Sequence, residues 1–455
     1  MAELEFAHID EQKFSAFHWR ATLTTGLGVF CDGYDLSSLA LVLQPILHSF
    51  HHENSAWLQG TLSATALLGA TAGALGFGFL AQNGRKRFYG IDVLILGLAA
   101  LAQAFVPGIF WLIAIRFILG VGVGGDYVLS PVIMAEHSNR ADRGRALGLG
   151  FGTMWPVGAL AAVLFNMLLQ GLHVPDEVRW RLVLAGGCIP ALGVMYYRRT
   201  MPETARFLAK LAGEKNEAAQ VIAEIAGHPA EAPASGLGKD RRPFGEVFRQ
   251  HAPAIFAAAL LWMIYDLVVY VFILFGPNLI APTLGMETSM FALLSQVLFV
   301  LPASVLGSLL MIDKFGRKPL QAWGFLIGGV LLGVFALMQQ QLLAMPALAF
   351  AVYGLLNIAM TGPGLVSGAG ILGVELAPTR VRSVAQSITV AGGRIGAAIS
   401  GFAFPALFKS LGAGGAYWVV VAIAVLGAVL TWTLVPETGS KSLEAISDQP
   451  ASQKA

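Results

Sequence analysis

Asp32, Asp35, Arg116, Asp126, Asp266 and Arg394 stand inside long apolar runs of this 455-residue sequence. A charge in a membrane-spanning helix costs roughly 2.5–3.5 kcal/mol on insertion scales, so each needs a chemical reason. Asp32 and Asp35 are three residues apart and share a helix face. Asp126 lies among Gly120, Gly122, Gly124 and Gly125, beside Tyr127. Asp266 is four residues from both Trp262 and Tyr270, so one helical stripe carries all three. Acids outnumber cations in this set, and the excess is best relieved by protonating a carboxylate. Burial and neighbouring acids favour the protonated form, and an approaching cation reverses this, which is the chemistry of proton loading and release. The competing reading is that these charges only fix helix packing. Arg394, between Gly392-Gly393 and Ile395-Gly396, can offer its guanidinium to an anion in bidentate fashion, or pair with Asp32 or Asp35. Arg116 either serves a gate or proton path or snorkels to the interface. Trp155-Pro156 is set to kink its helix and let Trp155 narrow a pocket.

The elements that must position these residues follow from composition. Apolar residues make up 56% and charged residues 12%, about half the ~25% of a soluble domain. This excludes disorder and an ordinary soluble globule. Twelve apolar segments, each near the ~20 residues a spanning helix needs, run from about 20–43 to 415–435, with 345–371 as the tenth. The predicted fold is an all-α membrane protein of twelve transmembrane helices in two six-helix halves. Residues 1–199 form the N-terminal half, 200–251 a cytoplasmic linker with a short amphipathic helix near 203–226, and 252–455 the C-terminal half with a short cytoplasmic tail. Lys and Arg crowd alternate loops, including Arg85-Lys86-Arg87, Arg140 to Arg145, the linker, and Lys314 with Arg317-Lys318. That bias predicts cytoplasmic N- and C-termini in a plasma (inner) membrane. A net charge of +2 gives no electrostatic case for nucleic acid. Two cysteines, and no histidine deep in a span, give none for a metal centre or cofactor; the expected coupling ion is the proton.

Short signatures recur in the two groups of six. Gly84-Arg85-Lys86 returns as Gly316-Arg317-Lys318, and Pro202-Glu203-Thr204 as Pro436-Glu437-Thr438. Glu136 precedes Arg143 by seven residues, as Glu375 precedes Arg382. Three matches in one order at nearly one offset indicate a parallel duplication, which places a substrate between the halves. Glu136 with Arg143, Glu375 with Arg382, and Asp313 with Arg317 read as a cytoplasmic gate. Asp92 belongs either to that gate or to a proton exit path.

These residues carry a resemblance to the major facilitator superfamily. Asp313-Lys314-Phe315-Gly316-Arg317-Lys318 is similar to its inter-span signature, with Gln82 standing where the first half expects the acid. Within the sugar-porter-like branch, Gly124-Gly125-Asp126-Tyr127 with Arg116, Asp32-Gly33-Tyr34-Asp35, and Trp262 with Asp266 and Tyr270 resemble phosphate:proton symporters. The resemblance implies proton-coupled transport, with Asp32, Asp35, Asp126 and Arg116 in coupling. It implies Tyr127, Trp155, Trp262, Asp266, Tyr270 and Arg394 around a small anion, and commonly a monomer. That branch places a Gln where Trp155 stands, an Asn where Val366 stands and a Lys where Arg394 stands, so the anion is phosphate or an organic acid. An Asp-x-x-Asp in the first span is also typical of aromatic-acid:proton symporters. A sugar carrier or export antiporter would want more Gln and Asn in the spans than Asn278 and Asn357 provide. No zinc motif or nucleophile–base pair suggests an enzyme, and the stretch after Pro436 is short for a non-transporting sensor.

Overall fold

The computed structural model describes residues 6–53, 55–226, 239–279 and 281–447. Parts of the linker and of the C-terminal tail, and the Asn278 side chain, lie outside the described residues. The described residues are helical, with no strand among them. Twelve apolar helices follow one another: α1 (Ala16–Ser49), α2 (Trp57–Asn83), α3 (Lys86–Phe105), α4 (Ile109–His137), α5 (Arg143–Gly171), α6 (Asp176–Thr200), α7 (Phe244–Ile273), α8 (Thr288–Phe315), α9 (Arg317–Leu337), α10 (Pro346–Thr361), α11 (Arg382–Phe404) and α12 (Gly414–Leu434). Eleven of these are long and apolar enough to cross a membrane; α10, with 16 residues, is shorter.

The tenth segment departs from the expected single helix. It stops at Gly362-Pro363-Gly364 and resumes as two short turns, Leu365–Gly368 and Ile371–Glu375, split by Gly370 at φ +63°. Glycine takes that left-handed backbone without a Cβ clash. The broken stretch brings Leu365 into the middle of the molecule, where a Cβ on Gly152 of α5 would collide with it.

Small residues set the closest helix approaches. Gly69 and Gly73 of α2 lie against the α4 backbone at Phe117 and Val121, and Gly120 and Gly124 lie against Ala66 and Ala70 in return. No side chain fits at any of the four. Dispersion and close packing, rather than water exclusion, hold helices together in lipid. Outside the spans, Phe6 and Ile9 near the N-terminus pack on Ala205, Leu208, Val221 and Ile222 of the linker. The helix Lys215–Ala226 fulfils the amphipathic expectation there. These pieces lie together on one face of the molecule, the linker face.

Candidate functional site

α1, α4, α5, α7, α8, α10 and α11 surround a cavity of about 140 Å³ between the halves. Tyr127, Trp155, Trp262, Asp266, Tyr270 and Arg394 all line it. Trp262 is seated in a slot whose floor is glycine: a Cβ on Gly393 or Gly370 would come within 2.6 Å of its ring. Arg394 is 3% exposed, which obliges it to find acceptors. It donates from Nη2 to Asp32 Oδ2 (3.3 Å) and from Nη1 to the Tyr270 hydroxyl (2.8 Å), and stacks 4.2 Å over the Tyr127 ring. Asp32 Oδ2 also accepts from the Tyr127 hydroxyl (2.9 Å) and the Trp155 indole (3.2 Å). Arg394 Nε and Asp266 Oδ2 are buried with no hydrogen-bond partner. Of the two partners the spacing left open for Arg394, the fold selects Asp32.

The other charges occupy two separate places in the first half. Asp35 takes a bidentate pair from Arg116 (2.9 and 3.2 Å), which also donates to Gln103 Oε1 and the Leu62 carbonyl. Arg116 is fully buried, so the snorkelling reading fails. Asp126 is absent from the cavity wall. It accepts from Arg198 (2.5 Å) and Ser130 (2.6 Å), while Arg198 reaches Asp92 with its other nitrogen (2.6 Å) and stacks on Tyr89 at 4.4 Å. Residues adjacent on a helix point about 100° apart, so Tyr127 faces the cavity and Asp126 faces the interior of its own half. Gly28 leaves the space: a Cβ there would collide with Asp126 Oδ2 and Arg198.

Arg198, beside Arg199 at the end of the sixth span, is not among the charges singled out from the sequence. The signal was present, since Ala191, Val194 and Arg198 repeat at helical spacing and form the buried stripe of their helix. With Arg198 counted, the buried acids no longer face only two cations. Asp92 belongs with Arg198 and Asp126 and stands apart from the gate residues.

The gate residues meet at the linker face; Asp313 pairs with Arg317 as expected, but the two glutamate–arginine pairs are exchanged. Glu136 accepts from Arg382 of the other half (2.7 Å), from Arg85 and from Thr204. Glu375 accepts from Arg143 of the other half (2.7 Å), from Arg317 and from Thr438. Each arginine follows its sequence-neighbouring glutamate on the far side of a turn and reaches across the seam. Asp313 receives the Gly144 and Arg145 amides at the start of α5 (3.1 and 2.7 Å) and Arg317 (2.9 Å). At the pseudo-equivalent place, Gln82 donates to Ser383 at the start of α11 (2.6 Å). Arg206 ties Asp10 (2.7 Å) to Glu444 (3.0 Å), which joins both chain ends to the linker. Burial would raise the Glu444 carboxyl, but Arg206 and Lys210 beside it hold it down at about 2.

Two repeated six-helix groups, a cavity between them and charged networks buried within an apolar shell define a transporter of the major facilitator fold, a multi-pass integral membrane protein and not an enzyme. The chain belongs to the sugar (and other) transporter family, whose profile matches residues 21–449. It is 29% identical to "Probable inorganic phosphate transporter 1-6" of Arabidopsis thaliana, over 98% of this chain and 96% of the relative. It is 30% identical to "Probable inorganic phosphate transporter 1-10" of Oryza sativa subsp. japonica, over 96% and 90%. Among solved structures it is similar to the proton:xylose symporter XylE bound to 6-bromo-6-deoxy-D-glucose, with TM-score 0.82 and 25% identity over 95% of this chain and 99% of the other.

Proposed function

We propose that this protein is a proton-coupled symporter of a small anion, phosphate or organic acid, working by alternating access as a monomer in the plasma (inner) membrane with both termini cytoplasmic. The carrying observation is Arg394: a buried guanidinium in the central cavity with Nε unpartnered, flanked by Asp32 and by the unpartnered Asp266 Oδ2. A guanidinium with free valence attracts an anion, and its neighbouring carboxylates become easier to protonate when the anion takes its charge. In this reading Asp32, Asp35 with Arg116, and Asp126 carry the proton, while Tyr127, Trp155, Trp262, Asp266 and Tyr270 surround the solute with Arg394. Glu136, Arg143, Asp313, Arg317, Glu375 and Arg382 close the linker face, and Asp92 serves the proton route beside Arg198. Residues 1–199 and 252–455 rock against each other about the cavity, joined by 200–251.

Reconstituted protein should accumulate solute only with an inward proton gradient, and Arg394→Ala should impair anions far more than neutral solutes. Uptake indifferent to the gradient overturns the coupling; equal impairment overturns anion recognition. A sugar reading is favoured by one feature, the amide and hydroxyl groups of Gln296, Asn357 and Thr361 on the cavity wall. Uptake of xylose, with anions inert, would establish it in place of the anion.

A further inference from the structure

We infer that the groove between α9 and α12 binds an anionic phospholipid of the linker-face leaflet, with one acyl chain in the groove and the phosphodiester on Lys318. The groove measures about 320 Å³. An apolar cavity of roughly 150 Å³ holds benzene, so there is room for a stretch of one chain. Ala322 of α9 and Ala428 of α12 line it, with Trp323, Leu326 and Trp432 around them. Trp323 and Trp432 are 56% and 59% exposed by the protein itself, so this groove faces lipid. Deeper in the membrane the seam closes, where Gly329 lies against Ala424 and Val425. Leu326 is nine residues into α9, about 14 Å at 1.5 Å per residue. That is close to half of the ~30 Å hydrocarbon core. The groove thus lies at the depth of one leaflet's acyl chains.

The headgroup follows from the charges at the mouth of the groove. Lys318 Nζ stands 5.4 Å over the Trp432 ring, which holds the ammonium at the groove's end. Lys318 makes no ion pair among the described residues. The Glu437 carboxylate beside it is taken by the Arg317, Lys318 and Gly439 amides. Lys314, four residues earlier, has its ammonium over the Phe315 ring. The mouth therefore carries positive charge, and a phosphodiester answers it, since basic side chains at a membrane surface attract anionic lipids. A zwitterionic head would set its own ammonium among these cations with Glu437 already engaged, so an uncharged alcohol is favoured on the phosphate. Indole rings settle at headgroup level, apolar body among the chains and N–H towards polar acceptors such as ester carbonyls. The same helix ends carry gate contacts: Arg317 begins α9, Thr438 follows α12, and both donate to Glu375. A lipid that joins α9 to α12 steadies two partners of that glutamate.

The test titrates the purified full chain, in a neutral detergent, with dioleoyl phosphatidylglycerol, dioleoyl phosphatidylcholine and glycerol 3-phosphate. Retained lipid is counted by native mass spectrometry. Phosphatidylglycerol should be retained about fivefold better than phosphatidylcholine, and a large excess of glycerol 3-phosphate should not displace it. Lys318→Gln should bring the ratio of the two lipids to about one, while Lys318→Arg keeps it. Ala428→Phe, which fills the groove, should lower phosphatidylglycerol retention at least threefold; Ala322→Leu fills the same groove and takes its place if that variant does not fold. Equal retention of the two lipids by the wild type, a ratio that survives Lys318→Gln, or retention indifferent to a filled groove would each overturn the inference. Displacement by glycerol 3-phosphate would mark a site for free phosphate esters and overturn the lipid.

Discussion

The two faces of the molecule close by different chemistry. On the linker face the halves are joined by ion pairs buried on both sides of the seam, Arg382 to Glu136 and Arg143 to Glu375, and by the half-buried Asp313, which accepts from backbone amides at the start of α5. On the opposite face they meet through a neutral hydrogen bond, Asn166 Nδ2 to Ser289 Oγ at 3.2 Å, and through apolar contact such as Phe402 against Gly60. A buried ion pair adds little net stability over a packed apolar pair, but losing one partner leaves an uncompensated charge. The linker face therefore opens only if water reaches many charges together, which makes it a two-position latch. The opposite face has no such penalty and can separate by small steps.

The largest expected effect comes from breaking the latch. Glu375→Gln strands Arg143 as a buried charge, leaves Arg317 with Asp313 alone, and should cost the closed state about 3–5 kcal/mol. A lowered Tm, and faster reaction of a cysteine placed at Ser308 with a thiol reagent added from the linker face, would show it; unchanged labelling would erase the contrast. Asp313→Asn keeps size but removes the anion at the start of α5. It should cost about 1–2 kcal/mol and move the same labelling rate in the same direction. On the opposite face, Asn166→Leu should cost only about 0.5–1.5 kcal/mol and speed access from that face while leaving linker-face labelling unchanged. Gln82→Asp tests the mirror position: a carboxylate at the start of α11 should stabilise the closed linker face by about 0.3–1 kcal/mol, seen as slower labelling. Acid should act last and least. The Glu444 carboxyl is held near 2, below its ordinary 4.5. Its stabilising share is complete above pH 4.5 and fades as pH falls towards 2. The Tm difference between the wild type and Glu444→Gln should thus be constant from pH 8 to 5 and narrow only below 4.5.

The spans were legible because lipid demands long apolar helices, and the duplication because its signatures lie in loops where each half needs the same bonds. Glu203 caps the Lys86 amide, as Glu437 caps those of Arg317 and Lys318. The break in α10 was less legible, since Gly-Pro-Gly in an apolar run reads equally as a kinked helix. Cavity residues spaced by four, Trp262, Asp266 and Tyr270, were legible from helical period together with the family resemblance. Partners were the illegible part. Glu136 and Arg143 are close in sequence yet bond across the seam and not to each other, and Asp126 and Tyr127 are neighbours that face different compartments. Pairing depends on helix rotation and on the packing of six elements, which no local spacing encodes.

The back-to-back arrangement of Asp126 and Tyr127 bears on kinetics. One residue serves an enclosed ionic pocket and the next serves the central cavity, so occupancy of one does not physically block entry to the other. If Asp126 carries the coupling proton, as proposed, loading needs no compulsory order. Equilibrium titration should then find the solute binding without prior proton loading and the proton binding without solute, whereas an obligatory sequence requires one before the other.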